Sequence, residues 1–198
     1  MTDRFEEPEY ATPLSPDDQK GLIPSWITTK ADLNIAERDN ITGGLGWAKR
    51  RRAKPLAIAT DDFSRRLHKA MFGKVWKWAG TYRQTTLNIG IEPWLIAKGC
   101  AELFDTFRYW IEHDTYPQDE LAVRFHHQIV AIHPFPNGNG RHSRLMGDLL
   151  VESLGGKPFS WGSGNLQDGT NELRKAYIAT LKAADRNNIS PLLAFARS

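Results

Sequence analysis

Apolar side chains recur every three or four positions along most of this chain, with polar residues between them. Such spacing places the apolar residues on one face of a helix. Helices of this kind are predicted to begin near Lys30, Thr60, Leu95, Pro117, Asn139, Thr170 and Ser190. Threonine, serine and proline are typical of a helix start, and glycine, as at Gly73 and Gly155, is typical of its end. The pattern predicts a mainly α-helical fold.

The N-terminal part of the chain is less regular. Residues 1–25 contain four prolines and few apolar clusters, which predicts an extended arm that lies on the rest of the chain. A helix is predicted over Lys30–Ile41, and Gly43–Gly44 interrupts its pattern. A second helical stretch is predicted over Trp47–Arg52.

Between Thr81 and Trp94 the helical spacing gives way to residues that favour strands. The strand formers are Tyr82, Thr85, Thr86, Ile89 and Ile91. Asn88 and Gly90 are turn formers. The segment predicts a short β-hairpin or an extended flap.

Composition is typical of an ordinary folded protein. Hydrophobic residues make up 40% of the 198 and charged residues 25%, and the formal net charge is only +3. The basic run Lys49–Lys54 is interpreted as a solvated helix end in preference to a phosphate or nucleic-acid patch, so a nucleic-acid partner is disfavoured. The single cysteine, Cys100, excludes an intramolecular disulfide, and no apolar stretch suits a signal peptide or a membrane span. These features predict a cytoplasmic protein without a membrane partner.

The segment from His133 to Arg144 concentrates residues that suit phosphate chemistry. A predicted helix ends at His133, glycines follow, and a new helix begins with Arg141 and Arg144 in its first turns. Because a helix N-terminus already carries partial positive charge, two arginines there indicate a bound anion. Exposed backbone N–H groups and forked guanidinium donors match phosphate oxygens. A histidine beside such a nest can take a proton from an incoming hydroxyl.

The same residues allow plainer interpretations. A histidine at a helix end is commonly a cap or a surface residue, and a Gly-Asn-Gly sequence is commonly a turn. The concentration of all these features in twelve residues favours the phosphate site. A metal site built from His126, His127, His133 and His142 is disfavoured, because their spacing fits no common zinc pattern and adjacent histidines diverge on a helix.

The segment resembles the signature of the Fic (Fido) family, His-x-Phe-x-(Asp/Glu)-Gly-Asn-Gly-Arg-x-x-Arg. The matching positions are His133, Phe135, Gly138, Asn139, Gly140, Arg141 and Arg144. Within the family, the chain is most similar to the group called mobile mystery protein B. The resemblance implies a Fic-type helical bundle over residues 60–198, with a β-hairpin flap beside the active site. Residues 1–59 would be an arm and helices packing on that core.

For the site, the resemblance implies transfer of AMP from ATP to a protein. His133 would be the general base that deprotonates a hydroxyl of the target, which then attacks the α-phosphate. The nucleotide-binding residues would be Asn137, Gly138, Asn139, Gly140, Arg141 and Arg144. Within that set Arg141 would contact the β-phosphate and Arg144 the γ-phosphate, while Phe135 would anchor the loop. The flap would align the target protein through main-chain hydrogen bonds.

Asn137 departs from the family pattern, which has an acidic Mg²⁺ ligand at this position. An amide oxygen carries no charge, and Mg²⁺ prefers carboxylate and phosphate oxygens, so Mg²⁺ is expected to bind weakly. Three outcomes stay open. They are weaker AMP transfer, transfer of a different nucleotide or phosphate group, and a nucleotide-binding regulatory module with little catalysis and a partner protein.

Many members of the family also carry an inhibitory helix of pattern (Ser/Thr)-x-x-x-Glu-(Gly/Asn), whose glutamate pairs with the arginine at the position of Arg144. Glu37 is the candidate inhibitory residue in this chain. Leu33 and Arg38 do not fit the pattern, so an exposed acid on a helix is the favoured interpretation.

Overall fold

The computed structural model describes residues 15–164, 166 and 172–198, and this part of the chain forms α-helices joined by irregular loops. The helices are α1 (Pro16–Gln19), α2 (Lys30–Arg51), α3 (Pro55–Ile58), α4 (Asp61–Phe72), α5 (Ile96–Glu112), α6 (Gln118–Ile132), α7 (Asn139–Ser153), α8 (Glu172–Ala184) and α9 (Ser190–Arg197). The predicted helical class is confirmed. Most of the predicted arm, up to residue 14, and the predicted helix start at Thr170 lie outside the described residues. Within the described ranges, none of the helices combines the length and the apolar character that crossing a bilayer requires.

Helix α2 begins at a capping box and crosses α4 at close range. The Thr29 hydroxyl accepts from the N–H of Asp32 at 3.1 Å, and the Asp32 carboxylate accepts from the N–H of Thr29 at 3.0 Å. The helix continues through Gly43–Gly44, so the predicted interruption there is wrong. The reason is packing, because a Cβ at Gly44 would lie 2.8 Å from Cγ of Met71 on α4. Glycine lets the two helices approach.

The core is built from buried side chains of helices α2–α9. Helices α6 and α7 pack side by side, and α5 closes one flank of α6. Phe107 of α5 and Phe125 of α6 meet edge to face with ring centroids 4.7 Å apart, and both rings are buried. Burial of each such ring contributes about 2–3 kcal/mol. The helices on either side of the α6–α7 loop are therefore held in a packed body.

The segment 81–92, which makes up most of the predicted flap and is termed the flap from here on, is irregular and forms no β-hairpin. The only β-bridge among the described residues joins Leu22 and Trp76, outside the flap. The guanidinium of Arg83 donates to the carbonyls of Thr85, at 2.9 Å, and of Ile91. One buried side chain thus joins the two arms of the flap in place of the ladder that the sequence predicts.

Candidate active site

The loop between α6 and α7 is bounded by two residues of left-handed backbone conformation. His133 (φ 54°) caps α6, and Gly138 (φ 80°) precedes the first residue of α7. This conformation costs a residue with a side chain roughly 1–2 kcal/mol, so the surroundings of His133 must hold it there. At Gly138 a side chain does not fit, because a Cβ would lie 2.6 Å from the ring of Phe72.

The N-terminus of α7 provides the anion-binding part of the site. The first helical hydrogen bond of α7 joins the N–H of His142 to the carbonyl of Gly138 at 2.9 Å. The N–H groups of Asn139, Gly140 and Arg141 therefore stand at the helix end, where the helix offers them no acceptor. The partial positive charge at this end adds to their donors, and the combination suits phosphate oxygens.

Phe135 anchors the loop from below, and His68 of α4 supports both. The Phe135 ring is fully buried and stacks on the His68 imidazole with ring centroids 3.7 Å apart. His68 Nε2 donates to the carbonyl of Asn137 at 3.0 Å, and its Nδ1 accepts from the N–H of Gly80 at 3.0 Å. Burial holds the pKa of His68 well below its usual value, so the ring stays neutral and its tautomer is fixed.

Asn139 braces the loop across its width. Its side-chain oxygen accepts from the N–H of Phe135 at 2.9 Å, and its side-chain nitrogen donates to the carbonyl of Phe135 at 2.8 Å. The residue is only 2% exposed. Both ends of the amide are thus engaged within the loop, so the side chain is not available to a ligand and only the backbone N–H of Asn139 stands at the helix end.

The imidazole of His133 is held in one neutral form. Burial lowers its pKa to about 4, and the charge of Arg83 acts in the same direction. Nδ1 donates to the carbonyl of Val130 at 3.3 Å, which places the lone pair of the neutral ring on Nε2. A neutral imidazole in this tautomer is ready to accept a proton.

Glu37 reaches the site from α2, and it binds Arg141. Its carboxylate lies 2.6 Å from Nη1 of Arg141 and accepts from the indole N–H of Trp76 at 2.7 Å. The carboxylate is buried, with 5% of the residue exposed. The favoured interpretation of an exposed acid is therefore wrong, since the crossing of α2 over α4 turns this residue inward. The expected pairing with Arg144 is also wrong, because the pair forms with Arg141.

Asn137 stands where the Fic signature has its metal ligand, and its side chain is already engaged. Its oxygen accepts from the N–H of Gly138 at 2.5 Å and from Nη2 of Arg141 at 3.2 Å. Across the described ranges, no group of three or more His, Cys, Asp or Glu side chains could hold a metal ion. Mg²⁺ takes carboxylate and phosphate oxygens, so the protein side of this site does not fit it.

Arg144 lies one turn beyond Arg141 on α7, and other helices support it. Its guanidinium stands over the ring of Tyr177 on α8, 5.4 Å from the ring centroid. The Tyr177 hydroxyl lies 3.0 Å from Nε2 of the buried His126. Burial raises the pKa of nearby Asp148 to about 6, and the charge of Arg144 opposes that rise. Each of the two predicted phosphate-binding arginines thus has its own support, a carboxylate for Arg141 and an aromatic ring for Arg144.

The histidines considered for a metal site have separate structural roles. His126 contacts Tyr177, His127 lies 2.8 Å from a carboxylate oxygen of Asp185, and His142 donates to the carbonyl of Ser64 at 2.9 Å. Each of these three histidines thus has a different partner.

Sequence reasoning missed two buried residues that hold the site, His68 and Arg83. His68 shares the buried face of α4 with Leu67 and Met71, and that position was a readable signal. Arg83 gave none, because an arginine in a predicted hairpin is expected at the surface.

Known proteins resemble this chain in sequence and in fold. Residues 59–151 match the model of the Fic/DOC family. The protein adenylyltransferase Fic of Drosophila grimshawi is 28% identical over 134 residues, which cover 65% of this chain and 26% of that protein. Fic-1 from C. elegans (residues 134–508) superposes with a TM-score of 0.63 at 23% identity, over 89% of this chain and 55% of that chain. BepC, a VirB-translocated effector from Bartonella tribocorum with bound AMPPNP, superposes with a TM-score of 0.65 at 17% identity. The superposition covers 91% of this chain and 96% of that chain.

The structural and the sequence comparisons support conclusions of different scope. At such identities the solved structures establish the fold. The chain spans only 26% of the length of the Drosophila relative, so that protein's activity does not carry over as a whole. The family match falls on the loop, α4, the flap and most of α7, which are the elements that build the site. Residues 59–151, slightly less than half of the chain, thus match the Fic/DOC family, and the described part of the chain has the fold of the solved Fic proteins.

Proposed function

We propose that this chain is a protein adenylyltransferase that moves AMP from ATP onto a hydroxyl side chain of a target protein. The observation that carries the proposal is the placement of a neutral, buried His133 directly before the open N-terminus of α7, with Arg141 and Arg144 in the first turns of that helix. This arrangement supplies a base and a phosphate nest within one loop. The names and bound nucleotides of the related proteins support it.

The chemistry is a displacement at phosphorus. Nε2 of His133 takes the proton of the target hydroxyl as its oxygen attacks the α-phosphorus of ATP, a phosphate ester bond forms, and the bond to pyrophosphate breaks. The backbone N–H groups at the start of α7 bind the phosphate oxygens, with Arg141 on the β-phosphate and Arg144 on the γ-phosphate. These donors stabilise the negative charge that the leaving pyrophosphate gains.

The surroundings of the reaction belong to the same proposal. The target segment lies along the flap through main-chain hydrogen bonds, as in strand addition. Mg²⁺, if bound, is held by the nucleotide phosphates, since Asn137 is engaged with Gly138 and Arg141. The proposed location of the protein is the cytoplasm, which is consistent with ATP as the substrate and with the buried free thiol of Cys100.

The test is transfer of label from ATP that carries it on the α-phosphate. Wild-type protein is expected to label itself or a protein of the host lysate, and His133→Ala to lose that label by about 10²–10⁴-fold. The matched control is His113→Ala, which removes an exposed histidine at the end of α5. Equal labelling by wild type and His133→Ala would sink the proposal. Intact mass after incubation with each of the four nucleoside triphosphates identifies the transferred group.

Glu37 is proposed as an inhibitory residue within this function. Its carboxylate holds Arg141 at 2.6 Å, where the β-phosphate would otherwise bind. Glu37→Gln keeps the acceptor for Trp76 but removes the charge, and self-labelling is expected to rise about fivefold or more, since charged hydrogen bonds contribute roughly 1.5–3 kcal/mol. Asp39→Asn, on the exposed face of α2, is the control. Unchanged or lower labelling by Glu37→Gln would show that the carboxylate only positions Arg141.

A second candidate is a nucleotide-binding regulatory module that acts through a partner protein. Two contacts favour it, the engaged side chain of Asn137 and the pairing of Arg141 with Glu37. Calorimetric binding of ATP without transfer by either wild type or Glu37→Gln, across Mg²⁺ and Mn²⁺, would support this candidate against the enzyme.

A further inference from the structure

Arg83 places a permanent positive charge in the interior beside the candidate base. The residue is 1% exposed, and its side chain is among the largest that are fully buried. Among the described residues no carboxylate lies within ion-pair distance of it. Burial lowers its pKa, and the charge of Glu92 opposes that shift. Removing a charge from water costs several kcal/mol unless hydrogen bonds replace the water. The partners of this guanidinium are therefore informative.

Those partners are backbone carbonyls from two segments. Nε donates to the carbonyl of His133 at 2.7 Å. Nη1 donates to the carbonyl of Thr85 on one arm of the flap at 2.9 Å, and Nη2 donates to the carbonyl of Ile91 on the other. A guanidinium has five donors in a rigid plane, so it can hold three peptide groups in a fixed relation.

The backbone of the flap continues the same contact. The N–H of Arg83 donates to the carbonyl of Pro134 at 2.9 Å, and the N–H of Ile91 donates to the carbonyl of Ile132 at 3.3 Å. Three successive carbonyls, of Ile132, His133 and Pro134, thus accept hydrogen bonds from the flap. This arrangement accounts for the left-handed backbone of His133, which would otherwise be disfavoured.

Gly90 shows how closely the two segments approach. Its φ is +93°, and a Cβ there would lie 2.5 Å from Cβ of His133 and 2.8 Å from Nη2 of Arg83. A residue with a side chain would push the flap away from the base. The contact between flap and base is therefore built by the backbone, with Arg83 at its centre.

We propose that Arg83 is a positioning residue that couples the flap to His133, so that one guanidinium sets both where an acceptor segment docks and how the base is presented to it. Its effect on catalysis rests on the proposed transferase function. Loss of the coupling slows the chemical step and leaves nucleotide binding intact, because the nucleotide binds at α7. A residue needed only for folding would lower both together.

The experiment compares three variants of the full chain. Arg83→Lys keeps the charge but loses the planar fork, and Arg83→Met removes charge and donors. The matched control is Arg197→Lys, since Arg197 also donates to backbone carbonyls, of Lys157 at 2.8 Å and Pro158 at 3.2 Å. Arg197 lies in α9 and pairs with Asp119, at the end of α6 opposite His133.

Two readouts need no activity. The amide exchange of Ile91 is expected to quicken at least about tenfold in Arg83→Lys, since its hydrogen bond to Ile132 is then held by one contact fewer. The NMR signal of the His133 imidazole is expected to shift. A third readout is transfer from ATP, in which kcat falls about tenfold or more while KM for ATP stays within about threefold. The change in each of the three readouts is expected to be larger in Arg83→Met than in Arg83→Lys.

The outcomes separate the coupling from the function. The coupling would be overturned if Arg83→Lys changed neither the amide exchange of Ile91 nor the NMR signal of His133. It would also be overturned if Arg197→Lys changed both readouts equally. Equal losses in kcat and ATP affinity would overturn it too. If wild type transfers no label, the proposed function fails, and exchange and the His133 signal alone decide the coupling. Arg83→Lys, the conservative variant, keeps the comparison available if Arg83→Met does not fold.

Discussion

The α6–α7 loop and the flap face the same histidine but are held in different ways. The loop is stabilised from within the core, by Phe135 stacked on His68 and by Asn139 bonded to the backbone at both ends of its amide. The flap has little core of its own, and Ile89 near its tip is 46% exposed. The guanidinium of Arg83, a few backbone hydrogen bonds and a tilted contact between the Tyr82 and Phe135 rings connect it to the loop.

This difference suits the two substrates of the proposed reaction. A nucleotide is always the same, so its phosphates require donors fixed to a fraction of an ångström. A protein target varies in side chains but not in backbone, so a less constrained segment that offers main-chain groups is adequate. Low local stability in the flap is therefore compatible with function, whereas low stability in the loop is not.

Truncating each region in turn tests the comparison most severely. Phe135→Ala removes a fully buried ring beneath the loop and is expected to lower the free energy of unfolding by about 3–5 kcal/mol. Ile89→Ala, the control in the flap, should cost less than about 0.5 kcal/mol. Urea titration followed by fluorescence measures both. Similar losses in the two variants would show that loop and flap are equally supported.

Acid should destabilise the fold, because the buried histidines at the loop and in α7 are neutral. Burial lowers the pKa of His133 and of His142 to about 4, below the unfolded value of 6.5. The unfolded chain therefore binds protons that the folded one refuses, and stability falls as pH drops from 6.5 toward 4. Asp148 acts oppositely, since its pKa of about 6 exceeds the unfolded 3.8 and its protonation favours the folded state below pH 6.

Because two histidines lower the free energy of unfolding and one carboxyl raises it, the net loss is about 1.4 kcal/mol per pH unit as the pH falls from 6 to 4. His68 and His126, whose pKa values burial also lowers, add to it. Denaturant titrations across this range measure the slope. His142→Asn, which keeps a donor for the carbonyl of Ser64, should reduce the slope by about 1.4 kcal/mol per pH unit, the contribution of one proton. A slope unchanged in that variant would contradict the assignment. The flap contains no histidine, so no histidine of its own adds to this slope.

The brace formed by Asn139 predicts a smaller effect. Asn139→Ala leaves the buried N–H and carbonyl of Phe135 without partners, and the expected cost is about 1–3 kcal/mol in unfolding free energy. Asn88→Ala, in the exposed flap, is the matched control and should change stability by less than about 0.5 kcal/mol. Thermal unfolding compares the two. Equal midpoints would mean that the Asn139 amide does not hold the loop.

The sequence predicted local features better than distant ones. Caps and apolar spacing indicated most of the helices, and the concentration of residues from His133 to Arg144 indicated the site. The crossing of α2 over α4 could not be predicted from the sequence. As a result, Gly43–Gly44 was predicted to interrupt a helix and Glu37 was predicted to be exposed. The hydrogen bonds from Arg83 to the flap were missed for the same reason. A single guanidinium that takes the place of a β-ladder produces no periodic pattern in the sequence. Contacts across tens of residues depend on packing, which a local pattern does not record.

The smallest expected effect concerns the one position where the loop departs from its family, Asn137. Asn137→Asp keeps an oxygen that can accept from Gly138 and Arg141 and adds the charge that Mg²⁺ prefers. Because the loop is rigid, the new carboxylate should stay in place. The affinity for AMPPNP is expected to rise about tenfold with Mg²⁺, or about 1.4 kcal/mol, and to change little in EDTA. Asn88→Asp adds the same charge to the flap and should leave both affinities unchanged. If Mg²⁺ strengthens binding equally in wild type and Asn137→Asp, the ion is held by the phosphates alone, and a charge at position 137 is not what the rigid loop lacks.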